Sequence, residues 1–213
     1  RDRGLTAAGV PHVRWTVPSM SIAQSSTTAA RANLKEAIQL SGATHLLFEM
    51  GINELIQNPS ITLSAFQALE SAQLAWLRSE FPSLKIIITT LTPGNGAGEA
   101  VRKQINAARR AKYHAAIDGV WDVSPVLETA ADSGTWKTGL SGDFIHPNTD
   151  GHTALATFIQ ARGTDLRAGT LEPSTGTGGG GGTETAGGWA ATGSNGATSS
   201  GNTATLSADG PSG

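Results

Sequence analysis

Two stretches of the chain are apolar without alternation. Residues 84–91 (L-K-I-I-I-T-T-L) carry three consecutive isoleucines, and residues 44–50 (T-H-L-L-F-E-M) carry a Leu-Leu-Phe run. Such runs must bury both faces, as strands of a parallel sheet do. Residues 12–17 (H-V-R-W-T-V) are β-branched and aromatic and stop at Pro18, which suits a strand leaving the sheet. Residues 119–123 form a last short strand. Between these runs the apolar spacing becomes helical. Residues 25–40 place Ala29, Leu34, Ala37 and Ile38 inward, with N-cap candidates at 25–28 and a stop at Gly42. Residues 62–80 place Phe66, Leu69, Leu74 and Leu77 inward and end before Pro82. Residues 98–117 read as a helix whose Arg102, Lys103, Arg109, Arg110 and Lys112 lie mostly on the solvated face. A final helix begins near residues 148–150, runs to about residue 162, and turns Leu155, Phe158 and Ile159 inward. Residues 1–9 read as a helix end closing at Gly9, and residues 51–60 and 92–96 read as loops.

Strands alternating with helices predict an α/β fold: a parallel sheet in a three-layer α/β/α (flavodoxin-like) sandwich, with ligands bound beyond the carboxyl ends of its strands. The composition changes near residue 170 to Gly, Ser, Thr and Ala, with five glycines at 178–182. The predicted division is therefore a domain over 1–168, a Gly/Thr-rich linker over 169–187, and a low-complexity tail or the start of a further β-module over 188–213. Within that tail Gly188-Trp189 and N-T-A-T-L at 202–206 have the look of polar strands, although disorder is the simpler expectation.

A net charge of −2 and a charged fraction of 15% offer no electrostatic grip for nucleic acid or an anionic membrane. No apolar run approaches the ~20 residues of a membrane span. The chain has no cysteine, which excludes disulfides and thiolate-bound metal. It opens on Arg1, without Met and without the charged-then-apolar pattern of a signal peptide, and reads as a fragment.

The chemistry concentrates in residues 141–151, S-G-D-F-I-H-P-N-T-D-G. Asp143 and His146 are spaced so that a carboxylate can hold one imidazole nitrogen and leave the other free to take a proton from a hydroxyl nucleophile. Alone, the same pair is more simply read as a turn-capping Asp beside a polar loop residue; the company elsewhere in the chain changes that reading. A second block, Glu49 to Glu54 (E-M-G-I-N-E), begins where a buried strand ends. There Gly51 permits a tight turn with close backbone approach, and Asn53 offers a neutral amide donor suited to an oxyanion. Trp136 either borders a substrate pocket or anchors the loop. His12 and His45 open strands and read as structural or edge residues; His114 and His152 read as solvated, and Asp118 and Asp122 as turn formers.

The G-x-N block followed by D-x-x-H-P-N-x-x-G, in this order on an α/β pattern, resembles the SGNH (GDSL-like) hydrolase family over residues 5–162. T-T-L-T-P at 89–93 is similar to the loop after that family's fourth strand. The resemblance implies hydrolysis of acyl or acetyl esters, including those of carbohydrates, with no metal or organic cofactor. It implies His146 as general base, Asp143 as its orienting acid, Asn53 as oxyanion donor, and Ser19 and Gly51 as backbone positions beside it. Three departures accompany it. The G-D-S nucleophile block is absent from the chain, so the serine and its strand are expected upstream of Arg1. Without that strand, residues 12–17 and 44–50 should pair directly or leave an apolar slot between them. Ser19 stands where the family has Gly, and Glu54 where it usually has Asp. Ser19 and Ser21 lack the glycine-flanked sharp turn of a nucleophilic serine. The competing reading is a non-catalytic glycan-binding or structural part of a modular surface or virion protein, extended through the linker. A nucleotide-binding reading fails for want of a phosphate-cradling Gly-rich loop after a strand.

Overall fold

A computed structural model of the chain describes residues 2–171, apart from 18 and 97, together with 202–207. The strands are β1 (His12–Thr16), β2 (Ala43–Glu49), β3 (Lys85–Thr89), β4 (Gly119–Trp121) and β5 (Asn202–Ser207). They form one parallel sheet in the order β1-β5-β2-β3-β4. Helices α1 (Asp2–Ala7) and α8 (Thr149–Arg167) cover one face; α3 (Thr28–Ser41), α5 (Leu63–Glu80) and α6 (Glu99–Arg110) cover the other. This is the three-layer α/β/α architecture expected.

The apolar runs divide as strand geometry requires. Leu46, Phe48, Ile86 and Ile88 join the core under α3, α5 and α6, whereas Leu47 and Ile87 join the core under α1 and α8. Alternate residues of one run therefore serve opposite layers, which is why neither run carries a polar face. Helix boundaries follow local hydrogen bonding. The Thr27 and Thr62 hydroxyls accept from Ala30 N and Ala65 N as N-caps, and Gly42 (φ 61°) ends α3 in the left-handed region. Asn148 caps α8 through the N–H groups of Asp150 and Gly151.

Several expectations need correction. The helix expected from an N-cap among residues 25–28 is α3, capped by Thr27, and a short helix α2 (Ile22–Ser25) precedes it. Residues 51–60 contain the short helix α4 (Ile52–Gln57), and residues after β4 contain α7 (Ser124–Leu127). Arg102 and Arg109 are fully buried rather than solvated: Arg102 pairs with Glu128 at 2.8 Å and Arg109 pairs with Glu70. Helical spacing had grouped them with the truly outward residues, but each has a buried carboxylate partner on a distant segment. Asp118 and Asp122 are likewise ion-paired, to Arg78 at 2.6 Å and Arg110 at 2.7 Å. His114 is half-buried, its ring nitrogen accepting from Ala116 N at 3.1 Å.

β1 and β2 neither pair directly nor flank an open slot. β5 lies between them, hydrogen-bonded in parallel to both, with Thr205 in register with Arg14 on one side and Leu47 on the other. Of the predicted linker, residues 169–171 are described, with Leu171 buried in the core under α1 and α8; residues 172–201 and 208–213 of the linker and tail lie outside the described residues. A proline at a central strand position removes a ladder donor and clashes with the pleat. Thr205→Pro should therefore lower unfolding stability by about 3 kcal/mol or more, read as a fall in urea midpoint; an unchanged midpoint would show that this strand contributes nothing.

His45, on β2, is buried, and burial together with Lys85 lowers its imidazole from 6.5 to about 4. The folded state keeps the ring neutral while the unfolded chain binds a proton near 6.5. Stability is therefore full above about pH 6.5 and falls as the pH drops toward 4, by up to about 3 kcal/mol at about 1.4 kcal/mol per unit. Unfolding titrations at pH 7 and 4.5 should show this loss, and His45→Gln should flatten it.

Candidate active site

All strands run parallel, so the segments leaving their carboxyl ends share one edge of the sheet. Three of them carry the predicted site residues. After β1 the chain turns through Ser19, which adopts φ 57°. A residue with a Cβ thus holds the left-handed conformation expected of the glycine it stands for, and the turn survives the exchange at some conformational cost. After β2 comes Gly51 at φ 120°, a conformation that L side chains rarely adopt. A Cβ there would lie 2.7 Å from Phe66 Cζ and 3.0 Å from Arg109 Nη2, so both the backbone and the space demand glycine.

Helix α4 then clasps the β1 turn. Asn53 Nδ2 donates to Met20 O at 3.1 Å, and Gln57 Nε2 donates to Ser19 O at 3.2 Å. The buried Glu54 carboxylate accepts from Ile22 N and Ala23 N, each at 2.8 Å. Glu54 is therefore the anchor for the first turn of α2, a role its sequence position did not reveal. Asn53 is buried and uses one amide N–H on Met20, leaving its second N–H as a donor. Ser21 is consumed as the N-cap of α2, accepting from Gln24 N, which removes it as a nucleophile.

The third segment holds the acid and base. Asp143 Oδ2 lies 2.6 Å from His146 Nδ1, and Oδ1 accepts from His146 N at 2.7 Å and Ile145 N at 2.9 Å. The carboxylate thus folds the loop that carries its own partner. These bonds, the His146 backbone N–H first and its ring second, hold the Asp143 carboxyl well below the usual carboxylate range. With a charged acceptor at Nδ1, that nitrogen carries the proton and Nε2 presents a lone pair. The side chain of His146 is 43% exposed, so Nε2 is within reach of solvent and substrate.

The loop is closed by a bridge between Ser141 and Pro147. Gly151 permits the closure, because a Cβ there would lie 2.3 Å from Leu140 O. Trp136 is buried and donates Nε1–H to Phe144 O at 2.8 Å, so it anchors the loop. Asn95 N donates to the same carbonyl at 3.1 Å, which ties the acid–base loop to the segment after β3. That segment in turn touches α4, since a Cβ at Gly98 would lie 3.2 Å from Leu55 Cβ. Ser19, Gly51 and Asn53 and the Asp143–His146 pair therefore lie at the same sheet edge, with residues 95 and 98 between them. The Asn95 contact is one that sequence reading missed; the Thr-Pro-Gly-Asn-Gly loop marked a turn without marking its partner.

Among the described residues no group of three or more His, Asp or Glu side chains is arranged to hold a metal ion. No helix among them is long and apolar enough to cross a membrane.

No family model and no curated protein matches the chain. Solved structures do. A serine-to-alanine mutant of an acetyl esterase with acetate ion matches at TM-score 0.51 and 18% identity, over 70% of this chain and 68% of that one. A carbohydrate esterase family 3 structure from Talaromyces cellulolyticus matches with the same values. A protein from Streptococcus pneumonia described as a platelet activating factor matches at TM-score 0.50 and 12% identity, over 76% of this chain and 91% of that one. The chain shares its three-layer α/β/α fold with these solved structures, as the sequence resemblance implies.

Because Asp143 is held below the usual carboxylate range, it should stay ionised while other carboxyls protonate. Its carboxyl carbon resonance should not titrate between pH 5 and about 3, the interval in which free Asp takes up its proton; a midpoint at the ordinary Asp value would contradict the geometry.

Proposed function

We propose that this domain hydrolyses acyl or acetyl esters, with carbohydrates among the alcohols released, using Asp143, His146 and Asn53. The observation that carries the reading is the 2.6 Å Asp143–His146 contact, on a His146 side chain that is 43% exposed, at the sheet edge that also bears Asn53. A hydroxyl attacks the ester carbonyl while His146 Nε2 takes its proton, and Asp143 steadies the imidazolium that forms. The negative charge on the tetrahedral oxygen is met by the second N–H of Asn53 and by the backbone N–H groups of Ser19 and Gly51. His146 then returns the proton to the departing alcohol, and water repeats the sequence on the acyl intermediate. Nothing in these steps calls on a metal or organic cofactor.

The attacking hydroxyl is expected from a serine preceding Arg1. One observation favours a second source. β5 ends at Ser207, whose Cα is in register with Thr16 and Glu49, between the strands that lead to Ser19 and Gly51. The 213-residue chain alone and a form extended by the preceding reading frame separate these sources. On p-nitrophenyl acetate the extended form should turn over and the chain alone should be nearly inactive. Activity of the chain alone that Ser207→Ala removes would instead assign the hydroxyl to β5.

In the active form, His146→Ala should lower kcat by about 10³ or more, and Asn53→Ala by about 10²–10³. Equal rates for the parent and His146→Ala would end the hydrolase reading and leave the glycan-binding one.

A further inference from the structure

Phe144 lies between Asp143 and His146, and neither its exposed side chain nor its backbone conformation serves the packing of the core. Its ring is 58% exposed and belongs to no core cluster of the described residues. Its backbone adopts φ 61°, a conformation that costs free energy for any side chain and most for a bulky one. Its carbonyl is fixed from two sides, by Trp136 Nε1 at 2.8 Å and Asn95 N at 3.1 Å, so the strained backbone is held in place. Glycine would satisfy the same backbone without strain and without exposed apolar surface. Strain that the surroundings enforce beside a reactive pair is a reason to look for a role in binding.

We infer that Phe144 is a substrate-contact residue whose ring stacks on a sugar ring of the esterified alcohol. This rests on the ester-hydrolase reading of the Asp143–His146 pair. The surroundings select the class of alcohol. The flanking side chains Ser141, Asp143 and His146 are polar, and Phe144 is the one large exposed hydrophobic in this loop. A greasy acyl chain needs an apolar trough. A pyranose instead offers one C–H face to an aromatic ring and hydroxyls around its rim, which matches a lone ring set among hydrogen-bonding groups.

The test is binding, so that it stands apart from turnover. The full 213-residue chain is titrated with acetylated xylotriose and, separately, with ethyl acetate, following the Trp136 indole N–H resonance and the dissociation constant. Phe144→Gly should melt no lower than the parent, because it relieves the positive φ, yet bind acetylated xylotriose about tenfold more weakly. Its response to ethyl acetate should be unchanged. Phe144→Trp, which keeps an aromatic face, should retain the parent affinity. Phe144→Gly binding the acetylated sugar within twofold of the parent would overturn the inference, as would equal losses in Phe144→Gly and Phe144→Trp. Failure of the hydrolase reading shows elsewhere, in a His146→Ala enzyme that still turns over.

Discussion

The site edge of this molecule is held by two buried guanidinium groups. Arg109, fully enclosed, donates to Thr89 O and to Met50 O, each at 2.7 Å, and pairs with Glu70. Arg102, also fully enclosed, donates to Leu91 O at 2.7 Å and to both oxygens of Glu128. Each carbonyl named lies where β2 or β3 ends, and a strand end leaves carbonyls without ladder partners. A planar fork of donors on α6 satisfies them from below. Removing either arginine would strand a buried carboxylate as well as the carbonyls, a loss on the order of 3–5 kcal/mol. The turn at Gly51 begins directly on this support, and a Cβ at Gly51 would strike Arg109 Nη2.

The acid–base loop is built on the opposite plan. Its organising charge, Asp143, is exposed, and gathers its own loop N–H groups together with the imidazole. An exposed carboxylate with three strong donors stays ionised while ordinary carboxyls protonate, so the charge beside the imidazole persists. Buried arginines thus fix the strand ends from within, while an exposed carboxylate organises the Asp143–His146 loop from its own surface.

The sheet and its covering helices were legible because Leu46–Phe48 and Ile86–Ile88 leave no polar face, a pattern that only two-sided burial explains. The Asp143–His146 pair was legible because three-residue spacing in a loop is a purely local relation. The misread side-chain roles are nonlocal. Arg102 and Arg109 fall on a helix dense in cations, and only partners far along the chain, Glu128 and Glu70, distinguish them from Arg110. Glu54 looked like a lengthened Asp, whereas its reach across 32 residues to Ile22 N sets its role. The place of residues 202–207 was illegible for the same reason, since N-T-A-T-L-S has none of the apolar density of its neighbours β2 and β3.

That insertion has a geometric consequence for the site. With β5 between them, β1 and β2 stand two strand spacings apart, roughly 9–10 Å. Asn53, after β2, nevertheless reaches Met20 O at 3.1 Å, and Gln57 reaches Ser19 O at 3.2 Å. The segments that follow β1 and β2 therefore meet across the end of β5, and the Ser19 and Gly51 turns are joined by side-chain bonds from α4 rather than by the sheet ladder.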